Sequence, residues 1–218
     1  MDTEKISEIY RYLSLHSEKL KKADGAFIFC RADPLLARRV SELFNDGLIG
    51  YALFTGGIGK HSGALAILGY PESLYQAGLL RWIHGVSDEK IIIETTATCG
   101  IENSKYGIKT IIENDLPRNK LILVVHPTQI RRIYAVHQTI AEKMGFKADY
   151  QLAITDYKFD PNDPIDQKES IIELLRLVEW PSKGICKPQK DLPKDLIGYA
   201  RDAVRSGIVK TDFIERGY

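Results

Sequence analysis

The chain has 218 residues, a length that fits one α/β domain with a sizeable core, or a domain of about 150 residues with an appendage. With 30 Lys and Arg against 29 Asp and Glu, its net charge of +1 excludes the global positive field that attracts nucleic acid or anionic lipid. Three widely spaced cysteines without a C-x-x-C motif argue against a disulfide framework and a zinc finger. No apolar run reaches the ~18 residues of a membrane span. We therefore expect a soluble, cytoplasmic protein with no nucleic-acid or membrane partner.

Along the chain, an N-terminal helical stripe, Ile6, Ile9, Tyr10 and Leu13, precedes an alternation of apolar runs and helical patterns. The predicted strands are 26–30, 50–55, 90–94, 120–126 and 150–155, and the helices predicted between and after them are 35–45, 72–84, 101–113 and 129–144. Such alternation is typical of βαβ units with helices on both faces of a parallel sheet. The sequence predicts a Rossmann-like, three-layer α/β fold with a mainly parallel sheet of about five strands.

After residue 155 the alternation stops. A Pro/Asp-rich loop is predicted at 158–164, and helices are predicted at 168–179 and 193–206. The predicted organisation is therefore a Rossmann-like ligand-binding domain at 1–155 and a C-terminal helical appendage at 156–218.

A glycine-rich segment, 55–63, follows the second predicted strand and reads TGGIGKHSG. Its glycines allow main-chain N–H groups to approach a bound anion, and Lys60, His61 and Ser62 add side-chain donors. Two standard motifs fail, because a Walker A loop requires Gly at Phe54 and Ser or Thr at His61, and the dinucleotide fingerprint requires Gly at Ser62. A mobile turn between a strand and a helix is an equally good interpretation of the loop alone.

All four loops at the predicted carboxyl ends of the strands are polar: 31–34, 55–63, 94–103 and 126–129. Loops at these ends converge on the ligand crevice of a parallel sheet. The occurrence of all these polar loops at the same edge of the predicted sheet indicates a site more strongly than any single motif does.

Four blocks of these residues resemble the YdcF/SanA-like family over roughly 25–145. The blocks are TGGIGKHS at 55–62 with Glu72, EKIIIE at 89–94, TCGIEN at 98–103 and VVHPTQIRR at 124–132. The resemblance implies a Rossmann-like fold and binding of S-adenosylmethionine. Two departures are the first loop, 31–34, which lacks the glycine common in relatives, and residues 156–218, which do not align.

Each acidic or amide candidate also has a structural interpretation. Glu72 begins a helix after Pro71, where a carboxylate stabilises the helix dipole, and the resemblance favours a site role. Glu94 ends a strand and can accept hydrogen bonds from ribose hydroxyls. For Glu102, helix capping beside Thr98 and contact with a ligand are equally good interpretations. Asn103 favours ligand contact, since Asn is an indifferent helix former.

The last polar loop offers cationic candidates. His126 closes a strand, where a histidine can carry a proton or donate a hydrogen bond. Arg131 and Arg132 stand in the first turns of a helix, where positive charge opposes the dipole unless an anion is near, which favours a site role for at least one of them. The candidate ligand-binding residues are Asp33, Thr55, Gly56, Gly57, Gly59, Lys60, His61, Ser62, Glu72, Glu94, Thr98, Glu102, Asn103, His126, Pro127, Thr128, Arg131 and Arg132.

We therefore expect a crevice that binds a nucleotide-like small molecule, with S-adenosylmethionine as the cofactor or ligand implied by the resemblance. No metal is expected, because no H-x-H, H-E-x-x-H or aspartate cluster is present, and no catalytic residue is assigned. Two alternatives stay open. One is a hydrolase or transferase acting on a phosphorylated or nucleotide substrate, with Lys60, Arg131 and Arg132 holding the anion. The other is a non-catalytic ligand sensor.

Overall fold

The computed structural model describes residues 1–59 and 63–210. Its strands are β1 Gly25–Phe29, β2 Tyr51–Thr55, β3 Ile91–Glu94, β4 Lys120–Val125 and β5 Asp149–Ile154. Its helices are α1 Thr3–Leu13, α2 Leu35–Asn45, α3 Ala64–Ile67, α4 Glu72–Trp82, α5 Gly100–Glu113, α6 Ile130–Lys143, α7 Pro164–Glu179 and α8 Lys194–Arg205. The five predicted strands are confirmed, each within a residue or two of its predicted bounds.

The five strands form one parallel sheet in the order β3-β2-β1-β4-β5. β1, the first strand in sequence, lies at the centre, and its five residues are all buried. Parallel strands with both faces covered are apolar throughout rather than alternating. This explains why the strands are continuous apolar runs in the sequence.

Different helices cover the two faces of this sheet. On one face, Ile28 and Phe54 belong to a buried cluster with Val40 of α2 and Leu80 of α4. On the other face α5 approaches so closely that a Cβ added to Gly107 would lie 2.2 Å from the Phe27 ring. Helices on both faces make this a three-layer, Rossmann-like α/β fold, as the sequence predicts.

By its internal contacts the chain divides into two compact units. The sheet unit contains residues 16–126 and 140–156, and therefore the whole sheet with α2, α4 and α5. Among the described residues, the helical unit contains 1–15, 127–139 and 157–210. In the helical unit α7 packs on α1 and α8, and Tyr10 stacks on Phe159 with ring centroids 4.0 Å apart.

Helix α7 begins at Pro164, four residues before the predicted start at 168. The Asp163 carboxylate accepts a hydrogen bond from the Ile165 N–H, and Pro164 occupies the first turn, where its missing N–H costs nothing. The Pro/Asp composition of the preceding segment therefore marks a cap as well as a loop. No helix among residues 1–59 and 63–210 is long and apolar enough to cross a membrane.

Candidate functional site

The carboxyl ends of β1, β2 and β3 lie level with one another in the sheet unit. Strand register pairs Phe29 with Thr55 and Thr55 with Glu94, so the residues that follow these three strands emerge together. In open parallel sheets this edge is where ligands bind. The next residues, Cys30 after β1 and Gly56 after β2, form the floor of the candidate site.

Side chains from two helices converge over Gly56. A Cβ built on Gly56 would lie 3.3 Å from the Cys30 Cβ, 3.5 Å from Glu72 Oε2 and 3.8 Å from Asn103 Oδ1. The φ angle of Gly56 is +140°, a value that residues with a side chain rarely adopt. We call Cys30, Gly56, Glu72, Glu94 and Asn103 the acceptor cluster, because its carboxylate and amide oxygens are hydrogen-bond acceptors.

Glu94 is held by one carboxylate oxygen and leaves the other unused. Its Oε1 accepts hydrogen bonds from the N–H groups of Thr96 at 2.5 Å and Ala97 at 3.0 Å. Its Oε2 is buried and has no hydrogen-bond partner among the residues that the structure describes, and the residue is only 7% exposed. A buried carboxylate oxygen without a donor is costly, so a ligand that supplies one is favoured.

Asn103 and Cys30 complete the cluster. Asn103, also 7% exposed, has a buried Oδ1 that meets no donor within residues 1–59 and 63–210. Burial raises the pKa of the Cys30 thiol well above its usual value, and the nearby carboxylate of Glu72 raises it further. Cys30 therefore stays a neutral thiol and contributes an apolar floor rather than a nucleophile.

The main-chain amides of the first two loop glycines serve the loop itself. The N–H of Gly56 donates to the Glu94 carbonyl at 3.1 Å, and the N–H of Gly57 donates to the Ala97 carbonyl at 2.6 Å. A Cβ on Gly57 would lie 2.2 Å from the Thr95 carbonyl oxygen. Glycine is required at position 57 because the two loops touch there.

Gln76, which the sequence analysis missed, fixes the first loop of the site. Its Nε2 donates to the carbonyls of Arg31 at 2.6 Å and Asp33 at 2.8 Å, and its Oε1 accepts from the Ala37 N–H at 3.1 Å. The side chain is fully buried on the apolar stripe of α4. Its position among the buried residues of α4 could have indicated this role from the sequence, because a buried amide needs hydrogen-bond partners.

We expect Gln76→Leu to lower the free energy of unfolding by about 2–3 kcal/mol, because the Ala37 N–H loses its acceptor and the carbonyls of Arg31 and Asp33 each lose one donor. Urea denaturation would show a lower midpoint with an unchanged slope. The matched control is Gln189→Leu, whose exposed amide bonds one carbonyl and whose loss should change stability by less than about 0.5 kcal/mol. Equal effects of the two substitutions would show that Gln76 does not hold the loop.

Several other predicted residues of the sheet unit have internal partners. The Thr55 hydroxyl donates to the Ile28 carbonyl at 2.9 Å, and Asp33 Oδ1 accepts from the Leu35 N–H at 3.0 Å. Glu102 Oε2 accepts from both the N–H and the hydroxyl of Thr98, each at 2.7 Å. This is the capping interaction that was one of the two interpretations of Glu102.

Arg131 and Arg132 lie in the helical unit and have acidic partners there. Arg131 Nη1 pairs with Asp191 at 3.0 Å, and its Nε donates to the Tyr12 carbonyl at 2.6 Å. Arg132 is paired with the buried Glu173. The positive charge at the start of α6 had suggested a bound anion. The carboxylates of Asp191 and Glu173 provide that negative charge instead.

The remaining candidates are placed as follows. Thr128 donates from its hydroxyl to Glu169 at 3.0 Å in the helical unit, which also contains Pro127. His126 is buried directly after β4, and Gly59 lies in the loop after β2. Lys60, His61 and Ser62 lie outside the described residues. No group of three or more His, Cys, Asp or Glu side chains in the described part of the chain is arranged to hold a metal ion.

The site is therefore defined here by its geometry alone. Compared with known proteins, the sequence matches no family model and no curated protein.

Proposed function

We propose that this chain binds a nucleotide-like small molecule, with S-adenosylmethionine as the leading candidate, at the carboxyl ends of β1, β2 and β3. The observation that supports it is the acceptor cluster, in which Glu72 Oε2 and Asn103 Oδ1 lie close to Gly56 and Glu94 Oε2 is buried without a donor among the described residues. Glu94 Oε2 and Asn103 Oδ1 have no donor within residues 1–59 and 63–210, and buried acceptors of this kind at the carboxyl edge of a parallel sheet favour a bound ligand that supplies donors.

The choice of an adenosyl ligand comes from the resemblance to the YdcF/SanA-like family, which is part of this proposal. Its four blocks supply Gly56, Glu72, Glu94 and Asn103, which are the cluster residues other than Cys30. The alternative of a phosphorylated substrate gains no support from Arg131 and Arg132, because their guanidinium groups pair with Asp191 and Glu173. We assign no reaction to the site.

Calorimetric titration of the full chain with S-adenosylmethionine, adenosine, ATP and glucose 6-phosphate tests the proposal. We expect the adenosine compounds to bind and to raise the melting temperature, because a ligand selective for the folded state stabilises by about 2.7 kcal/mol at 100 times its Kd. Binding of glucose 6-phosphate without binding of any adenosine compound at millimolar concentration would overturn it.

A further inference from the structure

The polar side-chain oxygens of the acceptor cluster accept hydrogen bonds, and this limits the chemical groups that a ligand can place against them. Glu72 and Glu94 contribute carboxylates and Asn103 contributes its amide oxygen. A carboxylate accepts hydrogen bonds and donates none. A phosphate or carboxylate placed against these oxygens meets like charge without gaining a hydrogen bond from them.

Two of these acceptors need a partner. Glu94 Oε2 and Asn103 Oδ1 are both buried, and no donor among residues 1–59 and 63–210 reaches them. Glu94 itself is fixed, because the Thr96 and Ala97 N–H groups hold its other oxygen. Asn103 Oδ1 and Glu72 Oε2 both lie close to Gly56, at 3.8 Å and 3.5 Å from a Cβ built there.

From this geometry we infer that the bound ligand presents hydroxyl or ammonium donors to Glu94 and Asn103, and that any phosphate it carries lies away from them. The inference rests on the proposed function and adds the ligand's orientation and selectivity. Hydrogen bonds to a charged group contribute about 1.5–3 kcal/mol each, and a site with buried acceptors rejects analogues that lack the matching donor.

The test compares ligands that differ in one donor, using calorimetry on the unmodified full chain. Adenosine against 2′-deoxyadenosine and 3′-deoxyadenosine reports a hydroxyl donor. S-adenosylmethionine against its deaminated analogue, in which hydrogen replaces the α-amino group and the sulfonium and carboxylate are kept, reports the ammonium. We expect at least one of these losses to weaken binding by about 10- to 150-fold, the equivalent of one hydrogen bond to a charged group.

Variants then assign the contact. Glu94→Gln and Asn103→Leu should weaken binding of the donor-bearing ligand and leave the affinity of the analogue without that donor nearly unchanged, as in a double-mutant cycle. The control is Glu113→Gln, an exposed carboxylate in the last turn of α5 that pairs with Lys109, which should change neither affinity.

The outcomes separate the two proposals. If adenosine compounds bind but every donor-deleted analogue binds as tightly as its parent, the inference is wrong and the proposed function stands. A second result would also overturn the inference: pyrophosphate displaces the adenosine ligand from the native chain but not from Glu94→Gln. Pyrophosphate would then bind in contact with Glu94. If no adenosine compound binds, the proposed function is wrong and the inference falls with it. Because the ligand comparison uses unmodified protein, its result does not depend on whether a variant folds.

Discussion

Glu173→Gln is expected to lower the free energy of unfolding by about 3–5 kcal/mol, the loss that follows when one partner of a buried ion pair is removed. Glu173 lies on α7 in the helical unit, with its side chain only 2% exposed, between two guanidinium groups. Arg132 of α6 donates to both carboxylate oxygens, and Arg176 of α7 donates to Oε1 at 2.7 Å. The substitution removes the negative charge that these two nearly buried guanidinium groups share.

The measurement is chemical denaturation of the purified variant, with Asp202→Asn as the matched control. Asp202 also pairs with an arginine three residues away in its own helix, but the side chains of Asp202 and Arg205 are 71% and 75% exposed. Exposed pairs of this kind contribute about 0–1 kcal/mol. A loss in Glu173→Gln as small as that in Asp202→Asn would show that Glu173 does not stabilise the buried guanidinium groups of Arg132 and Arg176.

Replacing all three charged residues together gives a second check. Arg132→Met, Glu173→Leu and Arg176→Met in one chain should be much less harmful than Glu173→Gln alone, because well-packed apolar residues avoid the desolvation cost of buried charges. Trp180 lies against both guanidinium groups, whose carbons are 5.2 and 5.3 Å from its ring centroid, and would pack against the methionines instead. Additive losses would show that the charges act separately.

The sheet was predictable because its strands carry their own signals. Each strand is a short apolar run, and five such runs alternate with helical patterns, as buried parallel strands require. The start of α7 was not predicted, although Asp163 followed by Pro164 is a standard helix beginning. The Pro/Asp composition of the segment hid that signal.

Local sequence patterns do not identify hydrogen-bond and ion-pair partners that are distant in the chain. The charge of Arg132 at the start of a helix suggested a bound anion, but its partner, Glu173, lies 41 residues away in the helical unit. Gln76 similarly bonds residues 39 to 45 positions away. Periodicity and local spacing report which face of an element is buried, and they do not report which side chain from another element meets it.

The site itself was partly visible. The sequence places Gly56, Glu72, Glu94 and Asn103 on adjacent loops and helix starts, and the structure gathers them at one edge of the sheet. Cys30 was missed as a member, because a small apolar residue at the end of a strand gives no sign that it forms a floor. The orphaned oxygens of Glu94 and Asn103 become apparent only when their surroundings are known.

Lowering the pH from 6.5 towards 3 should destabilise the protein through His137. Burial lowers the pKa of this imidazole to about 3 in the folded protein, whereas the unfolded chain titrates near 6.5. The folded state therefore holds His137 neutral while the unfolded state gains a proton. The stabilising contribution is complete above pH 6.5 and is lost at about 1.4 kcal/mol per pH unit, about 4–5 kcal/mol by pH 3.

Because acid also titrates carboxylates, the informative quantity is the difference between the native chain and His137→Leu. Urea denaturation at several pH values should show that the variant loses less stability than the native chain between pH 6.5 and pH 4, since leucine binds no proton in either state. His16→Asn, at an exposed position near the N-terminus, is the control for removal of a histidine. If the free energy of unfolding falls equally with pH in His137→Leu and in the native chain, His137 takes up no additional proton on unfolding. The acid sensitivity then arises from other groups.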